Sequence, residues 1–338
     1  MSMKKVLLIG GTGVMGSFLS QELLNMGYAV DVISLDEKES GDPALRYFRG
    51  NAMDDAFRAP FLSAGYDCIV DFLIYGTELF RQKHAALLKS TGHYIYLSSY
   101  RVYADEEHPI RETSPRFIDC CRDEEFMASD DYSLHKARGE ETLKASGMTN
   151  WTSVRPAITY SSQRFQLVTL EGDTLINRTR QGKRVPVPEE ALNVQATMTF
   201  GGDVAKMIAR LVCNPAAMGE AYTVSTSEHH SWGEIAEMYR DLIGISYVSI
   251  PKEEYLKIFS DDDNRKFRWQ LEYDRLCNRI VDNSKILAAT GMKQSELLPL
   301  YDGLKQELSK IPKDKVFVHA DYGDLPRRMD LWFENHGL

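Results

Sequence analysis

At 338 residues the chain is long enough for about two domains, and 43% hydrophobic with 26% charged residues describes a globular protein without repeats or low-complexity segments. A net charge of −9 argues against a nucleic-acid partner, whose phosphates need a basic surface. No apolar run approaches the roughly 18 residues needed to cross a bilayer, and Met1-Ser2-Met3-Lys4-Lys5 leads straight into an apolar stretch with no room for a signal peptide, so a cytoplasmic protein with no membrane partner is expected.

Val6-Leu7-Leu8-Ile9 reads as a strand that stops at Gly10-Gly11-Thr12-Gly13-Val14-Met15-Gly16, and a helix over 18–25 follows at once. This order brings unpaired backbone N–H groups and the positive helix end to one point, where a pyrophosphate supplies the missing acceptors. Gly10 permits the tight turn, Gly13 lets a diphosphate approach with no Cβ in the way, and Gly16 lets the helix pack close to the strand. Isolated in mid-chain this spacing carries little weight; between a strand and a helix it is a strong dinucleotide signature.

Strands at 29–33, 68–73, 93–97 and 151–154 then alternate with helices at 78–90 and 133–146. That rhythm predicts an α/β fold, a doubly wound parallel sheet of the Rossmann kind with ligands at the carboxyl ends of its strands. Beyond Pro156 the rhythm breaks. A polar stretch at 161–164 precedes a helix over 174–181 and Val185-Pro186-Val187-Pro188, whose prolines rule out a central strand. A helix over 202–212 and a strand over 219–224 follow. The expected division is 1–160 plus 197–226 as the dinucleotide-binding domain, and 161–196 plus 227–338 as a smaller, mostly helical substrate lobe facing the cofactor. That lobe takes in the charged segment 261–266 and a helical C-terminal region.

Tyr132 and Lys136 stand four apart at the start of a predicted helix, so one turn sets an ammonium beneath a phenol. A phenol is a poor base at neutral pH, but a neighbouring ammonium and a nicotinamide cation both favour the phenolate. Tyr301 and Lys305 share the spacing but follow no strand end, and read as surface helix. Ser99 ends the strand before the Ser98-Ser99 turn, where its hydroxyl can hydrogen-bond a reacting oxygen or satisfy local backbone. Five scattered cysteines (Cys68, Cys120, Cys121, Cys213, Cys277) lack C-x-x-C spacing, so neither a disulfide framework nor a zinc site is expected. His229 and His230 point to opposite faces of an extended chain, so no metal is assigned to them. Trp232, Trp269 and Trp332 read as packing.

Together, Gly10-x-x-Gly13-x-x-Gly16, Ser98-Ser99-x-x-Val102-Tyr103, Tyr132-x-x-x-Lys136 and Val154-Arg155-Pro156 resemble the extended short-chain dehydrogenase/reductases, in their NAD-dependent epimerase/dehydratase branch. Downstream, Gly202-Asp203-Val204-Ala205, Gly219-Glu220-Ala221-Tyr222 and Val281-Asp282-Asn283-Ser284-Lys285 resemble second-half segments of uncharacterised bacterial members. The resemblance implies a Ser99-Tyr132-Lys136 catalytic set: Tyr exchanges a hydroxyl proton, Lys lowers its pKa and holds the nicotinamide ribose, and Ser orients the substrate oxygen. It implies an NAD site built from Gly10, Thr12, Gly13, Val14, Met15, Gly16, Ser34, Asn51, Ala52, Phe72, Leu73, Ser98, Lys136, Pro156 and Ile158, with Tyr100, Arg155, Arg178 and Arg184 toward substrate. Pro156 and Ile158 would lie near the nicotinamide, Phe72 and Leu73 near the adenosine and its ribose, and Asn51 at the adenine.

Departures refine this picture. Ser34 stands where relatives carry the ribose-binding acid, followed by Leu35 and Asp36; with acids at Asp36, Glu37 and Glu39 and no base at 35, a 2′-phosphate is repelled and NAD is favoured, NADP being the alternative. Sugar-nucleotide dehydratases place Asp-Glu after the catalytic hydroxyl, where this chain has Tyr100-Arg101, which disfavours elimination of water. The arginine that grips the substrate diphosphate in many epimerases is missing from Ala196–Phe200; Arg178, Arg180, Lys183 or Arg184 substitute for it, or else form a solvated face. Some relatives are chloroplast stem-loop RNA-binding proteins with degenerate catalytic sets, against which the intact triad and acidic charge argue. The leading expectation is hydride transfer at a hydroxyl or keto carbon of a sugar or nucleotide sugar, by an epimerase or oxidoreductase. The alternatives are a non-sugar NAD(P)H-dependent reductase and a catalytically silent cofactor-binding regulatory or scaffold protein. Relatives often pair through two helices of the sheet domain, and 78–90 with 133–146 are the pair that would form such a homodimer.

Overall fold

In the computed structural model, residues 3–259, 265–315 and 324–338 are described. Their contacts divide the chain into two compact units, Met1–Thr159 with Thr199–Ser227 and Val281–Leu297, and Tyr160–Met198 with Glu228–Ile280 and Leu298–Leu338.

The first unit is built on a seven-stranded sheet. Its strands are β1 (Lys5–Ile9), β2 (Ala29–Ser34), β3 (Leu45–Arg49), β4 (Tyr66–Asp71), β5 (Thr91–Leu97), β6 (Trp151–Pro156) and an edge strand, Glu220–Val224. All pairings are parallel, in the order edge strand, β6, β5, β4, β1, β2, β3. The order reverses between β1 and β4, which opens the ligand crevice of a doubly wound sheet at their carboxyl ends. Registers bring Ile9 beside Asp71, Asp71 beside Tyr96, and Leu97 beside Val154, so these strand ends share one rim. Two apolar cores fill the two faces. Val6, Leu8, Val30, Val70 and Ile95 point to one, and Leu7, Ile9, Ile33, Ile69 and Tyr94 to the other, as alternation along a strand requires.

Helices α1 (Val14–Asn25), α2 (Asp55–Leu62), α3 (Thr77–Lys89), α4 (Phe117–Cys120), α5 (Glu124–Ala128) and α6 (Tyr132–Ala145) complete the first half. β3, α2 and the short helices α4 and α5 were not expected from sequence. β3 is a half-exposed edge strand, so it lacks the apolar run that marks its neighbours. α2 carries Pro60 and buries only Arg58, so it shows no apolar stripe. Residues Val281–Leu297 were expected in the substrate lobe but group with the sheet, because the Asn283 amide donates to the Ser225 carbonyl at 3.0 Å and Gln294 donates to Thr226 Oγ1 at 2.7 Å.

The second unit packs Trp232, Tyr239, Tyr255, Leu271, Leu304 and Met329 into its interior. Val185–Pro188 forms a short two-stranded parallel sheet with Tyr247–Ile250, an edge setting that tolerates its prolines. Residues 261–264 of the expected charged segment lie outside the described residues. No helix among the described residues is long and apolar enough to cross a membrane.

Candidate active site

The glycine turn closes β1 as the spacing requires. Gly10 has a φ of +73°, a conformation that favours glycine, and its N–H donates to the Ile33 carbonyl at 2.8 Å. A Cβ on Gly16 would run into the Gly11 carbonyl, so the first turn of α1 packs directly on the glycine turn. A Cβ on Gly13, the N-cap of α1, would meet nothing within 4 Å. The residues therefore fit a dinucleotide: an open approach at Gly13 faces the free N–H groups of a helix start.

At the end of β2, Thr12 Oγ1 lies 2.7 Å from Ser34 Oγ and donates to Asp36 Oδ2 at 2.5 Å. A carboxylate thus reaches the glycine turn from two residues beyond Ser34, with Ser34 Oγ accepting the Asp36 N–H at 3.0 Å. Asn51 uses its side-chain oxygen to accept the Met53 N–H at 3.0 Å. Ala52 is buried beside it. Val14 and Met15 open α1.

Phe72 and Leu73 continue β4 across the crevice. Phe72 N–H donates to the Ile9 carbonyl at 2.9 Å, and a Cβ on Gly10 would touch Leu73 Cδ2 at 3.1 Å. Leu73 in turn holds α6, because its carbonyl accepts the Lys136 ammonium at 3.1 Å. Beneath this contact lies Asp71, a buried acid at the end of β4 after the apolar run Cys68-Ile69-Val70, which accepts from Leu73 N–H, Tyr75 Oη and Tyr94 Oη at 2.9–3.0 Å. Sequence reasoning missed it; its signal was that lone charge in Cys-Ile-Val-Asp. Burial raises the Asp71 carboxyl above its ordinary range.

The segment before α6 fixes where the helix begins. Asp131 caps it by accepting the Ser133 N–H at 3.0 Å, and Asp130 accepts from Thr77 at the start of α3 and from Arg138 at 2.8 Å. Tyr132 is half-buried at the first position of α6, with the Lys136 ammonium 5.6 Å from its ring centroid. Lys136 itself has no exposed surface, and burial pushes its pKa down to about 8 against the pull of Asp71 and Glu140. Closed off in this way, it faces Tyr132 and the Leu73 carbonyl rather than open space. Ser99 is 6% exposed and accepts the Arg101 N–H at 3.2 Å, while Ser98 N–H donates to the Val154 carbonyl at 2.8 Å. Pro156 and Ile158 are buried at the carboxyl end of β6.

Not every expected residue joins this group. Arg155 was expected at substrate but is 2% exposed. Its guanidinium holds Glu140 through two bonds of 2.8 and 2.6 Å and donates to Tyr103 Oη at 2.7 Å. A charge can enter the interior only when it is paired, and here the pair consumes the donors that a substrate would need. Tyr100, at 2% exposure, is packed rather than presented. Arg178 belongs to the second unit, buried against Asp330 at 2.9 Å and the Arg184 carbonyl at 2.7 Å, while the Arg184 side chain is exposed. Arg178 is therefore neither a solvated face nor a free cation. His229 and His230 bond separately to Gln195 and Glu228, and Tyr301 is an exposed residue donating to Asp241.

Comparison with known proteins bears on the fold and the family. The chloroplast stem-loop binding protein of 41 kDa b from Arabidopsis thaliana is 26% identical over 253 residues, covering 70% of this chain but 62% of that protein's length. Bordetella bronchiseptica WbmH, solved in complex with NAD+, superposes with a TM-score of 0.68 at 17% identity, over 93% of this chain and 100% of that one. The Thermus thermophilus UDP-glucose 4-epimerase complex with NAD gives 0.64 at 18% identity, over 90% and 98%. At such identities the two structures speak for the shared fold. The family described as the NAD dependent epimerase/dehydratase family matches residues 6–225, close to two thirds of the sequence, and the chain belongs to that family of NAD-dependent enzymes.

Proposed function

We propose that the protein is an NAD-dependent epimerase or oxidoreductase acting at a hydroxyl or keto carbon of a nucleotide sugar, with Tyr132 as its general acid/base. The observation that carries this reading is the half-buried Tyr132 phenol beside a sealed ammonium at the carboxyl rim of the sheet. Bound NAD supplies the hydride exchange with the substrate carbon. Tyr132 takes or returns the hydroxyl proton, Lys136 favours the phenolate, and Ser99 orients the substrate oxygen. The glycine turn holds the cofactor's diphosphate, and Asp36 with Thr12 and Ser34 receives the adenosine ribose. The UDP-glucose epimerase likeness supports a nucleotide sugar as the substrate class. Tyr100-Arg101 puts no carboxylate where the elimination of water needs one. The net charge of −9 disfavours an RNA backbone as partner, although the Arabidopsis relative is named for stem-loop binding.

Tyr132→Phe tests the assignment. Turnover on a panel of nucleotide sugars is expected to fall by roughly two to four decades, with NAD affinity nearly intact. Unchanged turnover removes Tyr132 from the mechanism, and silence of the wild-type protein across the panel with tight NAD binding removes the substrate class.

A further inference from the structure

Arg101 touches both ends of the proposed catalytic set. Its backbone N–H bonds Ser99 Oγ at 3.2 Å, and its guanidinium carbon lies 5.1 Å from the centroid of the Tyr132 ring. The same guanidinium is 3.4 Å from Asp131 Oδ1, with the two side chains 14% and 6% exposed. Asp131 is immobilised in turn, since it accepts both the N–H and the hydroxyl of Ser133 at 3.0 and 2.8 Å. A cation over the Tyr132 ring is therefore held against an anion on the preceding residue, where little water screens them.

We propose that the Arg101–Asp131 ion pair sets the pH at which Tyr132 loses its proton, making Arg101 a positioning residue for the general base. The inference rests on Tyr132 being that base, but it is read without turnover.

Among the contacts described, the other groups near the Tyr132 ring act differently from the pair. Lys136, on the same helix, contributes a cation at 5.6 Å. The His135 ring meets Tyr132 edge-on at 5.4 Å, and burial lowers its pKa, so it is neutral where the phenol would titrate. From the segment before α6, the Asp130 carboxylate is engaged by Thr77 and Arg138. From β5, Tyr96 is held neutral by burial. Asp71 and Glu140 act on Lys136, whose ammonium they help to keep charged.

The guanidinium favours the phenolate and the carboxylate opposes it, so the phenol feels their difference. Removing Arg101 withdraws the cation and also uncovers Asp131, and both changes hold the proton on. Neutralising Asp131 uncovers the guanidinium and drives the proton off. Opposite signs from two partners are the signature of charge; a pair that merely packed would not give them.

The test uses the full chain with NAD, labelled at the tyrosine Cζ carbon and titrated by NMR, with Tyr132→Phe identifying the resonance. Arg101→Met is expected to raise the Tyr132 midpoint by roughly one to three pH units, Asp131→Asn to lower it while still capping α6, and Arg101→Lys to restore most of the wild-type value. Circular dichroism checks that each variant is folded; if Arg101→Met is not, the Asp131→Asn and Arg101→Lys shifts decide. Equal midpoints, shifts of the same sign in the charge-removing variants, or a wild-type phenol that stays neutral throughout the folded range would each overturn the proposal. Opposite shifts in a protein that turns over no sugar would uphold it and remove the substrate reading alone.

Discussion

Lys136 and Leu73 are joined across α6 and the end of β4, the ammonium donating to the carbonyl at 3.1 Å in a place with no exposed surface. One bond thereby ties the proposed base's partner to the residue that packs on Gly10 at the glycine turn. The arrangement costs stability, because burial lowers the Lys136 pKa from 10.5 to about 8. Between those values the unfolded chain binds more protons than the folded one, so the wild type gains stability as pH rises through that window. Lys136→Met is expected to abolish turnover yet to stabilise the fold at pH 7 by about 1–3 kcal/mol, less than the full shift implies because the Leu73 carbonyl loses its donor. The advantage should shrink at pH 10. Urea unfolding at the two pH values measures both, and a variant weaker than wild type at pH 7 would contradict the account.

Glu140 and Arg155 form the other buried charge pair behind α6, at 1% and 2% exposure. Burial would raise the Glu140 pKa, but Arg155 overrides it and brings it down to about 2 from 4.5. A depressed carboxyl contributes stability that is whole above about 4.5 and is lost as pH falls toward 2. Arg155→Ala removes the carboxylate's main cation, leaving it Arg116 at 3.3 Å and the Ser153 hydroxyl at 3.0 Å, and is expected to cost about 2–4 kcal/mol at pH 7. The same substitution should cost much less near pH 3, where the under-compensated group can take up a proton. Denaturant midpoints at the two pH values check this, and a pH-independent loss would mean that packing, not charge, is what Arg155 supplies.

Gly13 and Gly16 separate binding from folding. Valine at 13 enters open space at an ordinary backbone conformation, φ −72° and ψ −174°, so the fold should keep its melting temperature while NAD affinity falls at least about ten-fold. Alanine at 16 meets the Gly11 carbonyl, so α1 must shift, and stability should fall by about 1–3 kcal/mol along with affinity. Calorimetric melting and NAD titration on each variant read the two effects independently.

What could be read in advance follows from how each residue signals itself. Central strands such as β1 and β4 are buried on both faces and announce themselves as apolar runs; β3, with one side in water, does not. The glycine turn and the Tyr132–Lys136 spacing were legible because local geometry alone puts those groups together. Arg155 and Arg178 were not. A charged residue looks like a surface or ligand residue until its partner is known, and Glu140 and Asp330 lie 15 and 152 residues away in the chain. Asp71 was hidden for the opposite reason, a buried acid whose use depends on two tyrosines and a lysine from three other stretches of chain. Position 34 was judged by counting alone, whereas in the structure the chain past Ser34 brings the Asp36 carboxylate back to Thr12.

Asp36 is accordingly the residue on which cofactor choice should turn. Its carboxylate accepts the Thr12 hydroxyl at 2.5 Å, and Glu37 nearby is paired with Arg49 at 2.8 Å, leaving Asp36 as the anion aimed at the glycine turn. A ribose 2′-hydroxyl can donate to such a group, whereas a 2′-phosphate is repelled by it. Asp36→Asn retains a hydrogen-bonding side chain and removes the charge. The ratio of NAD to NADP affinity is expected to fall by roughly ten-fold, mostly through tighter NADP binding, and more steeply at low salt, where the repulsion is least screened. Fluorescence titration of both reduced cofactors at two ionic strengths measures it. An unchanged ratio would transfer the discrimination from Asp36 to the shape of the pocket around Ser34.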